Sequence, residues 1–413
     1  MIRQVSESLV KDSSDEVTVF TTFAYNSGLF TNPKVQPMPE TRGEEVIDGV
    51  NVRRFPVVNR WARLLYFVQY IFYRLRLPGN GFLRMLYYGP ISPEMKRAVR
   101  EFEADVITAA PFPLNHIAYS FKNRNKAPVI LVGCMHTADK HGFHNPRIAK
   151  LIRRAAGYVA LTPHEKEFLV NHYKIDPDKI AVIGVGIDTH IPEDKKDKAG
   201  AQAVREETGS GPGDPLIAFV GQHGLHKGIK TLLEAMPRVW EKFPHAKLII
   251  SGGTTPFTES FKRLATTINL VGHAMDMERT KKKDFSGPFP NRIFFMDDVD
   301  EKQKYNILEA CDIFASPSGY ESFGITILEA WLKRKPVVAC DIQATRNLVD
   351  DGETGFLTEY KNPHHLADTL VLLLEDPGLR EVTGQKGYEK LIKNYSREGI
   401  GNQYRAFYDK IVG

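Results

Sequence analysis

The chain has 413 residues, 42% hydrophobic and 25% charged, with a net charge of +5. That length exceeds one ordinary core and suggests two domains, and the composition excludes a disordered or fibrous chain. Cys134, Cys311 and Cys340 are the three cysteines, too few for a disulfide framework and without zinc spacing, so they read as reduced thiols. No apolar run approaches the roughly 20 residues of a membrane-spanning helix, and the polar opening MIRQVSESLVKDSSDE does not read as a secretory signal. The expected location is the cytoplasm.

In chain order, RQVSESLVKD reads as a helix and EVTVFTTF as a strand. WARLLYFVQYIFYRLRL, residues 61–77, has the length of a helix. DVITAA, PVILVGCMHT and GYVALT follow as strands, HEKEFLVNHY as a helix and KIAVIGVGID as a strand ending in a glycine turn. The stretch PEDKKDKAGAQAVREETGSGPGDP is charged and then Gly/Pro-rich, which marks a linker at residues 191–214. Alternation then restarts with LIAFVG, KGIKTLLEAMPRVWEKF, AKLIISGG, RIFFMDDV, EKQKYNILEAC, DIFASPS, KPVVAC and HLADTLVLLLED. Strand and helix in alternation predict parallel sheets covered on both faces, hence an α/β chain of two doubly wound domains, 1–190 and 215–395. A ligand is expected beyond the carboxyl ends of the strands.

The segment GYESFGITILEA carries Glu321 and Glu329 around an apolar run. Ser322 is the expected N-cap of a helix reaching Leu332, which leaves Glu321 in the preceding loop. The N–H groups of Phe323, Gly324 and Ile325 then point out of a helix start, an anion site suited to phosphate, and Gly324 admits close approach. Glu329, further along the helix, suits a ribose diol. In the competing reading Glu321 is a solvated loop acid and Glu329 pairs with Lys333 four residues on. A second segment, FVGQHGLHKGIKTLLEA, places Lys227 and Gly228 where a loop becomes a helix. Its spacing is not that of a nucleotide-hydrolase P-loop, and GVGIDTH lacks the full dinucleotide glycine fingerprint.

Taken together, G-x-x-x-x-x-K-G, the E-x7-E segment and the sequel KPVVACDIQATRNLVDDGETGFL resemble the retaining family 4 glycosyltransferases of the GT-B fold. The resemblance covers the chain from Glu16 onward. It implies two Rossmann-like domains facing a central cleft, closed over the donor to exclude water. It assigns Lys227 to the donor diphosphate, Glu321 to the donor sugar and Glu329 to its ribose. PVILVGCMHTAD resembles the family strand whose terminal histidine, here His136, lines the cleft near the transferred sugar. LTPHEKEFLVNHYKIDPDKIAVIGVGID matches the end of the family's first domain, and residues 396–413 resemble the helix that crosses back to brace it. Three positions depart from the pattern. Gln222 stands where an arginine is usual among the donor-binding residues, leaving Lys227, the helix start or His223 to compensate. Arg334 replaces the glycine before KPVV. No opening strand and glycine-rich loop precede the first helix, so the chain is expected to begin inside the family's first domain.

The implied reaction displaces a nucleoside diphosphate, UDP or GDP, from a sugar's anomeric carbon by an acceptor hydroxyl, with retained configuration and no cofactor. The catalytic candidates are His136, Lys227 and Glu321; Gln222, Phe323, Gly324, Ile325 and Glu329 complete the donor site. The acidic triplets Asp176–Asp178 and Asp298–Asp300 are given no metal role, since such triplets arise often by chance. The alternatives are a nucleotide-sugar epimerase and a catalytically impaired sugar-nucleotide-binding protein.

Charge is uneven. Residues 1–190 carry +7 and the remainder −2, and residues 53–100 hold ten basic residues, ten aromatics and one acid, Glu94. Arginines with aromatics suit a headgroup boundary, so a saccharide or lipid-linked acceptor and an anionic membrane surface contacted through residues 53–100 are expected, with peripheral attachment to the inner face of the membrane. The bland alternative is a buried helix with arginines at its ends. No nucleic-acid module accompanies the basic residues, and nucleic acid is not expected as a partner.

Overall fold

The computed structural model describes residues 2–13, 15–24, 30, 43–111, 115–134, 146–190, 198–280 and 291–413. The chain divides into two compact units, residues 1–186 with 397–413, and residues 187–396.

In the first unit a helix, Ile2–Ser13, precedes β1 (Thr18–Thr22), which pairs in parallel with β3 (Val50–Phe55); β2 (Glu44–Ile47) pairs antiparallel with β3. β2 and β3 form a hairpin that was not among the expected strands. Its turn is Asp48-Gly49, with φ of 50° and 84°, the left-handed pair that a two-residue turn needs and that Asp-Gly supplies at low cost. Four further strands, β4 (Ile107–Ala109), β5 (Val129–Val132), β6 (Gly157–Ala160) and β7 (Ile180–Val182), form a parallel sheet in that order. β5 and β6 are buried at every position, which is why they read as continuous apolar runs rather than alternating ones. The seven strands make two sheets where one was expected, because no described strand pairs with both β1 and β4.

The helix Arg397–Val412 belongs to this unit. Its Ile400, Tyr404 and Phe407 join Val5, Leu9, Ile130, Val132 and Val159 in one apolar cluster. The Tyr408 hydroxyl lies 2.8 Å from Thr108 Oγ1, and Arg405 pairs with Asp15.

The second unit is a six-stranded parallel sheet made of β8 (Leu216–Val220), β9 (Lys247–Gly252), β10 (Ile293–Asp297), β11 (Ile313–Ser316), β12 (Val337–Cys340) and β13 (Phe356–Thr358). Their spatial order is β10-β9-β8-β11-β12-β13. Successive strands step one way from β8 to β10 and the other way from β11 to β13, so the order reverses between β8 and β11. That is the doubly wound arrangement, and its switch point is where ligands bind. The helices Ile229–Lys242 and Pro363–Glu375 bury Leu232, Leu233, Met236, Trp240, Leu366 and Leu370 against the sheet.

Residues 198–214, expected as linker, fold into this unit. Lys198–Glu207 is a helix that buries Ala201 and Val204, and Arg205 ties it down by pairing with Asp312 at 2.9 Å and donating to the Ala310 carbonyl at 3.0 Å. The helix Thr258–Thr280, 23 residues, was not among the expected elements either.

Arg334 now has a physical account. Its φ is 52°, the left-handed conformation after a helix end that favours glycine. The arginine offsets that cost by stacking its guanidinium 4.1 Å from the Tyr388 ring centroid and donating from Nε to Gln385 at 3.1 Å. Arg334→Ala should keep the strain and lose the stack, destabilising the second unit by about 0.5–1 kcal/mol. Arg334→Gly removes about 1 kcal/mol of strain and should lie close to wild type, above Arg334→Ala in urea denaturation; the reverse order would refute the account.

Candidate active site

The site is built from the loops that leave β8 and β11, neighbours across the reversal in strand order. After β8 the chain passes through Gly221–Gly224 and a short turn at Leu225–Lys227, and enters its helix at Gly228. Gly228 has φ 74°, and a Cβ there would lie 2.0 Å from the Pro317 carbonyl oxygen, so only glycine lets the two loops meet. They are stitched by the Gly319 N–H donating to the His226 carbonyl at 2.9 Å, and by Ser318 Oγ donating to the same oxygen at 3.4 Å. On the other side, His223 N–H donates to Gly253 O at 2.9 Å, tying in the loop after β9.

Two predicted residues meet over this scaffold. Lys227 Nζ lies 2.5 Å from Glu321 Oε1, 94 positions away in sequence, and both side chains are largely covered. Glu321 is therefore no free loop acid. Ser322 does not cap the following helix: the helix is Ile325–Leu332 and its N-cap is Gly324, at φ 104°. Gly324 at φ 104° lies outside the right-handed helical region, so the helix cannot include Ser322 or Phe323; the Phe323 side chain is buried edge-on against Tyr395 with ring centroids 5.7 Å apart. Ile327 N–H is already bonded to the Gly324 carbonyl at 3.0 Å. The helix-start amides left without an intrahelical partner are thus those of Ile325 and Thr326, preceded in the chain by Phe323 and Gly324. Gln222 is exposed beside these loops.

Glu329 lies a turn into the same helix, 8% exposed. Its partner is Lys304, 2.6 Å away on the helix Glu301–Ala310, whereas Lys333 pairs with Glu309 at 2.8 Å. The i+4 alternative for Glu329 is therefore wrong. Burial raises the Glu329 pKa, and Lys304 opposes the shift. His223 is fully buried, and burial lowers its pKa against the opposing pull of Asp297; its Nδ1 is 3.2 Å from Thr258 Oγ1 and 3.9 Å from Asp297 Oδ1. His226 and Tyr320, ring centroids 6.0 Å apart, also flank the pair and were not among the candidates; their proximity to Lys227 and Glu321 in GLHKG and GYESFG was the available signal.

His136 lies outside the described residues. The acidic triplets serve local structure: Asp176 accepts from Asp178 N–H at 3.0 Å, Asp300 caps a helix by accepting from Gln303 N–H at 2.7 Å, and Asp298 accepts from Thr254 N–H at 2.9 Å. Among the described residues no group of three or more His, Cys, Asp or Glu side chains could hold a metal ion. A cavity of about 560 Å³ lined by Arg205, Asp214, Asp312 and Arg380 lies at the amino ends of β8 and β11, away from the Lys227–Glu321 pair.

A six-stranded parallel sheet whose strand order reverses between β8 and β11 defines a doubly wound, Rossmann-like unit. Residues 201–390 match the family described as glycosyl transferases group 1, and residues 2–191 match glycosyltransferase family 4. The chain belongs to the family 4 glycosyltransferases, with the α/β GT-B fold. It is 30% identical over 268 residues to the D-inositol 3-phosphate glycosyltransferase of Corynebacterium efficiens, covering 63% of this chain and 58% of that protein. It is 29% identical over 203 residues to the phosphatidyl-myo-inositol mannosyltransferase of Mycobacterium tuberculosis, covering 48% and 47%. The match thus spans between about half and three fifths of these relatives' length. Anabaena HepE, solved with UDP and glucose, superposes with a TM-score of 0.66 at 17% identity over 98% of this chain and 95% of its own. Sucrose-phosphate synthase of Thermosynechococcus elongatus gives 0.63 at 17% identity over 99% and 92%.

The raised pKa of Glu329 fixes the sign of a pH effect. A carboxyl that holds its proton more tightly when folded costs stability as pH rises from the ordinary carboxylate pKa, about 4.3, through its raised value. Measured against Glu329→Gln, in which this group cannot titrate, the wild type should lose melting temperature over that interval and level off above it. A difference that stays flat from about pH 4 to about pH 7 would contradict the assignment.

Proposed function

We propose that this chain is a retaining hexosyltransferase that moves a sugar from a UDP- or GDP-linked donor to a hydroxyl of a saccharide or lipid-linked acceptor, in glycan or glycolipid assembly, acting in the cytoplasm at the inner face of the membrane. The observation that carries the reading is the Lys227–Glu321 pair beside the helix start at Gly324, on the switch point of the second sheet. The names of the inositol-directed relatives support a polyol acceptor.

The pair presets both side chains before a ligand arrives. An incoming diphosphate competes with Glu321 for the Lys227 ammonium and meets the amides of Ile325 and Thr326, all of which favour negative charge. Glu321, released from the lysine, is then an acceptor for a hydroxyl of the donor sugar, while Glu329, braced by Lys304, is placed for the ribose. As the bond to the anomeric carbon breaks, charge accumulates on the departing diphosphate. Donors already aimed at it stabilise that state without reorganisation. With Gln222 in place of an arginine, Lys227 is the cation assigned to this task. His136 is assigned to the transferred sugar by resemblance alone.

Lys227→Ala should weaken UDP or GDP binding by roughly 10- to 100-fold, the loss of a charged hydrogen bond, and lower transfer by about 10²- to 10³-fold. Glu321→Gln should leave nucleotide affinity unchanged or tighter, because the lysine is freed, yet still impair transfer. Titration calorimetry and an acceptor-dependent transfer assay separate the readings. Interconversion of free donor without acceptor would indicate an epimerase, and tight binding by the wild type with no turnover would indicate a catalytically silent binder.

A further inference from the structure

With Gln222 uncharged, Lys227 alone leaves a diphosphate with more negative charge than one ammonium can balance. His226 is the neighbour of Lys227 in the turn Leu225–Lys227, and the residue is exposed. Its backbone is fixed to the loop that carries Glu321, since its carbonyl accepts from the Gly319 N–H at 2.9 Å and from Ser318 Oγ at 3.4 Å. Its ring meets Tyr320 edge-on, centroids 6.0 Å apart, and lies over Gly224, where a Cβ would come within 2.8 Å of the ring's Cε1. Among the described residues neither ring nitrogen has a hydrogen-bond partner. An imidazole held beside an ion pair with both nitrogens open changes its protonation when the charge around it changes.

We propose that His226 is a second cation of the donor site, one that forms together with the complex: the neutral imidazole takes a proton from solvent as a diphosphate settles on Lys227, and the imidazolium then donates to a phosphate oxygen. The inference rests on the proposed donor reading and deepens it by supplying the charge that Gln222 lacks. The groups that face the ring are Lys227 on its own turn, and Tyr320 and Glu321 on the loop after β11. In the free protein partial burial and the Lys227 ammonium hold the imidazole below its ordinary pKa, against the pull of Glu321. The ring is therefore neutral at neutral pH and does not repel Lys227, as a permanent cation in its place would. A diphosphate adds negative charge beside Lys227 and raises that pKa. Between the free and the bound pKa, each nucleotide then binds with uptake of a proton, and affinity rises as pH falls through that window. His223 is a different case, because its ring is fully buried against Thr258 and Asp297.

The test is titration calorimetry of the full chain with UDP and with GDP, from about pH 5.5 to about pH 8, in paired buffers of different ionisation heat. His226→Asn and His226→Arg are measured beside the wild type, and both keep the backbone carbonyl that joins the loops. The ratio of wild-type to His226→Asn affinity should lie near one at the alkaline end and rise toward about tenfold at the acid end, the lower range for a charged hydrogen bond. The wild type should also take up more protons per bound nucleotide than His226→Asn, a comparison in which the nucleotide's own titration cancels. His226→Arg, whose charge does not titrate, should bind about tenfold tighter than the wild type at the alkaline end and lose that advantage at the acid end. The proposal is overturned if the ratio to His226→Asn stays flat across this range, which would leave the ring an uncharged contact, or if proton uptake is equal in the two proteins. If the wild type binds neither UDP nor GDP, the donor reading itself falls and takes the inference with it.

Discussion

An ammonium group held 2.5 Å from a carboxylate, across the line where the second sheet reverses its strand order, is the contact on which the reading of this chain rests. Partly buried ion pairs are poor stabilisers, because desolvation consumes most of the Coulombic gain. Its value here is positional. Lys227 comes from the loop after β8 and Glu321 from the loop after β11, and each keeps the other's long side chain over the carboxyl ends of those strands. In the proposed reading an anion takes the place of the Glu321 carboxylate on the Lys227 ammonium, beside the helix start at Gly324.

The backbone makes that contact feasible. At Gly228 the loops touch so closely that any side chain would strike the Pro317 carbonyl, and at Gly252 a Cβ would fall 2.1 Å from the Gly221 carbonyl oxygen. Hydrogen bonds from Gly319 and His223 then lace the loops after β8, β9 and β11 into one surface. Glu329 is held apart from it by Lys304, and burial makes its charge costly. A buried carboxylate braced by one lysine is weak evidence for stability, and the proposed function gives it the donor's ribose instead.

Much of this was legible in the sequence, for identifiable reasons. The strands of the second unit announced themselves because burial on both faces gives continuous apolar runs such as LIAFVG and KLIISG, and the candidates Lys227 and Glu321 followed from where loops turn into helices. What could not be read were partnerships between distant elements. Nothing local shows that Glu329 would choose Lys304 over Lys333, or that Arg205, in a stretch rich in charge and glycine, would fasten a helix onto Asp312. The Ser322 cap failed because Gly324, two residues on, takes a left-handed φ of 104° that no helix interior allows. The hairpin at Asp48-Gly49 is different, since its turn signal was plainly present in VIDGVNV. In the first unit the helix Ala62–Arg74, which buries Ala62 alone, was ambiguous for a physical reason: apolar residues occur all around it, so periodicity alone could not say which side faced water.

The central claim concerns the Lys227–Glu321 pair and the helix start beside it. It is tested most directly by a crystal structure of the chain with UDP or GDP. The account predicts diphosphate oxygens within hydrogen-bond reach of Lys227 Nζ and of the Ile325 and Thr326 amides, with Glu321 no longer in contact with the lysine. A nucleotide bound elsewhere, with Lys227 and Glu321 still joined, would contradict it.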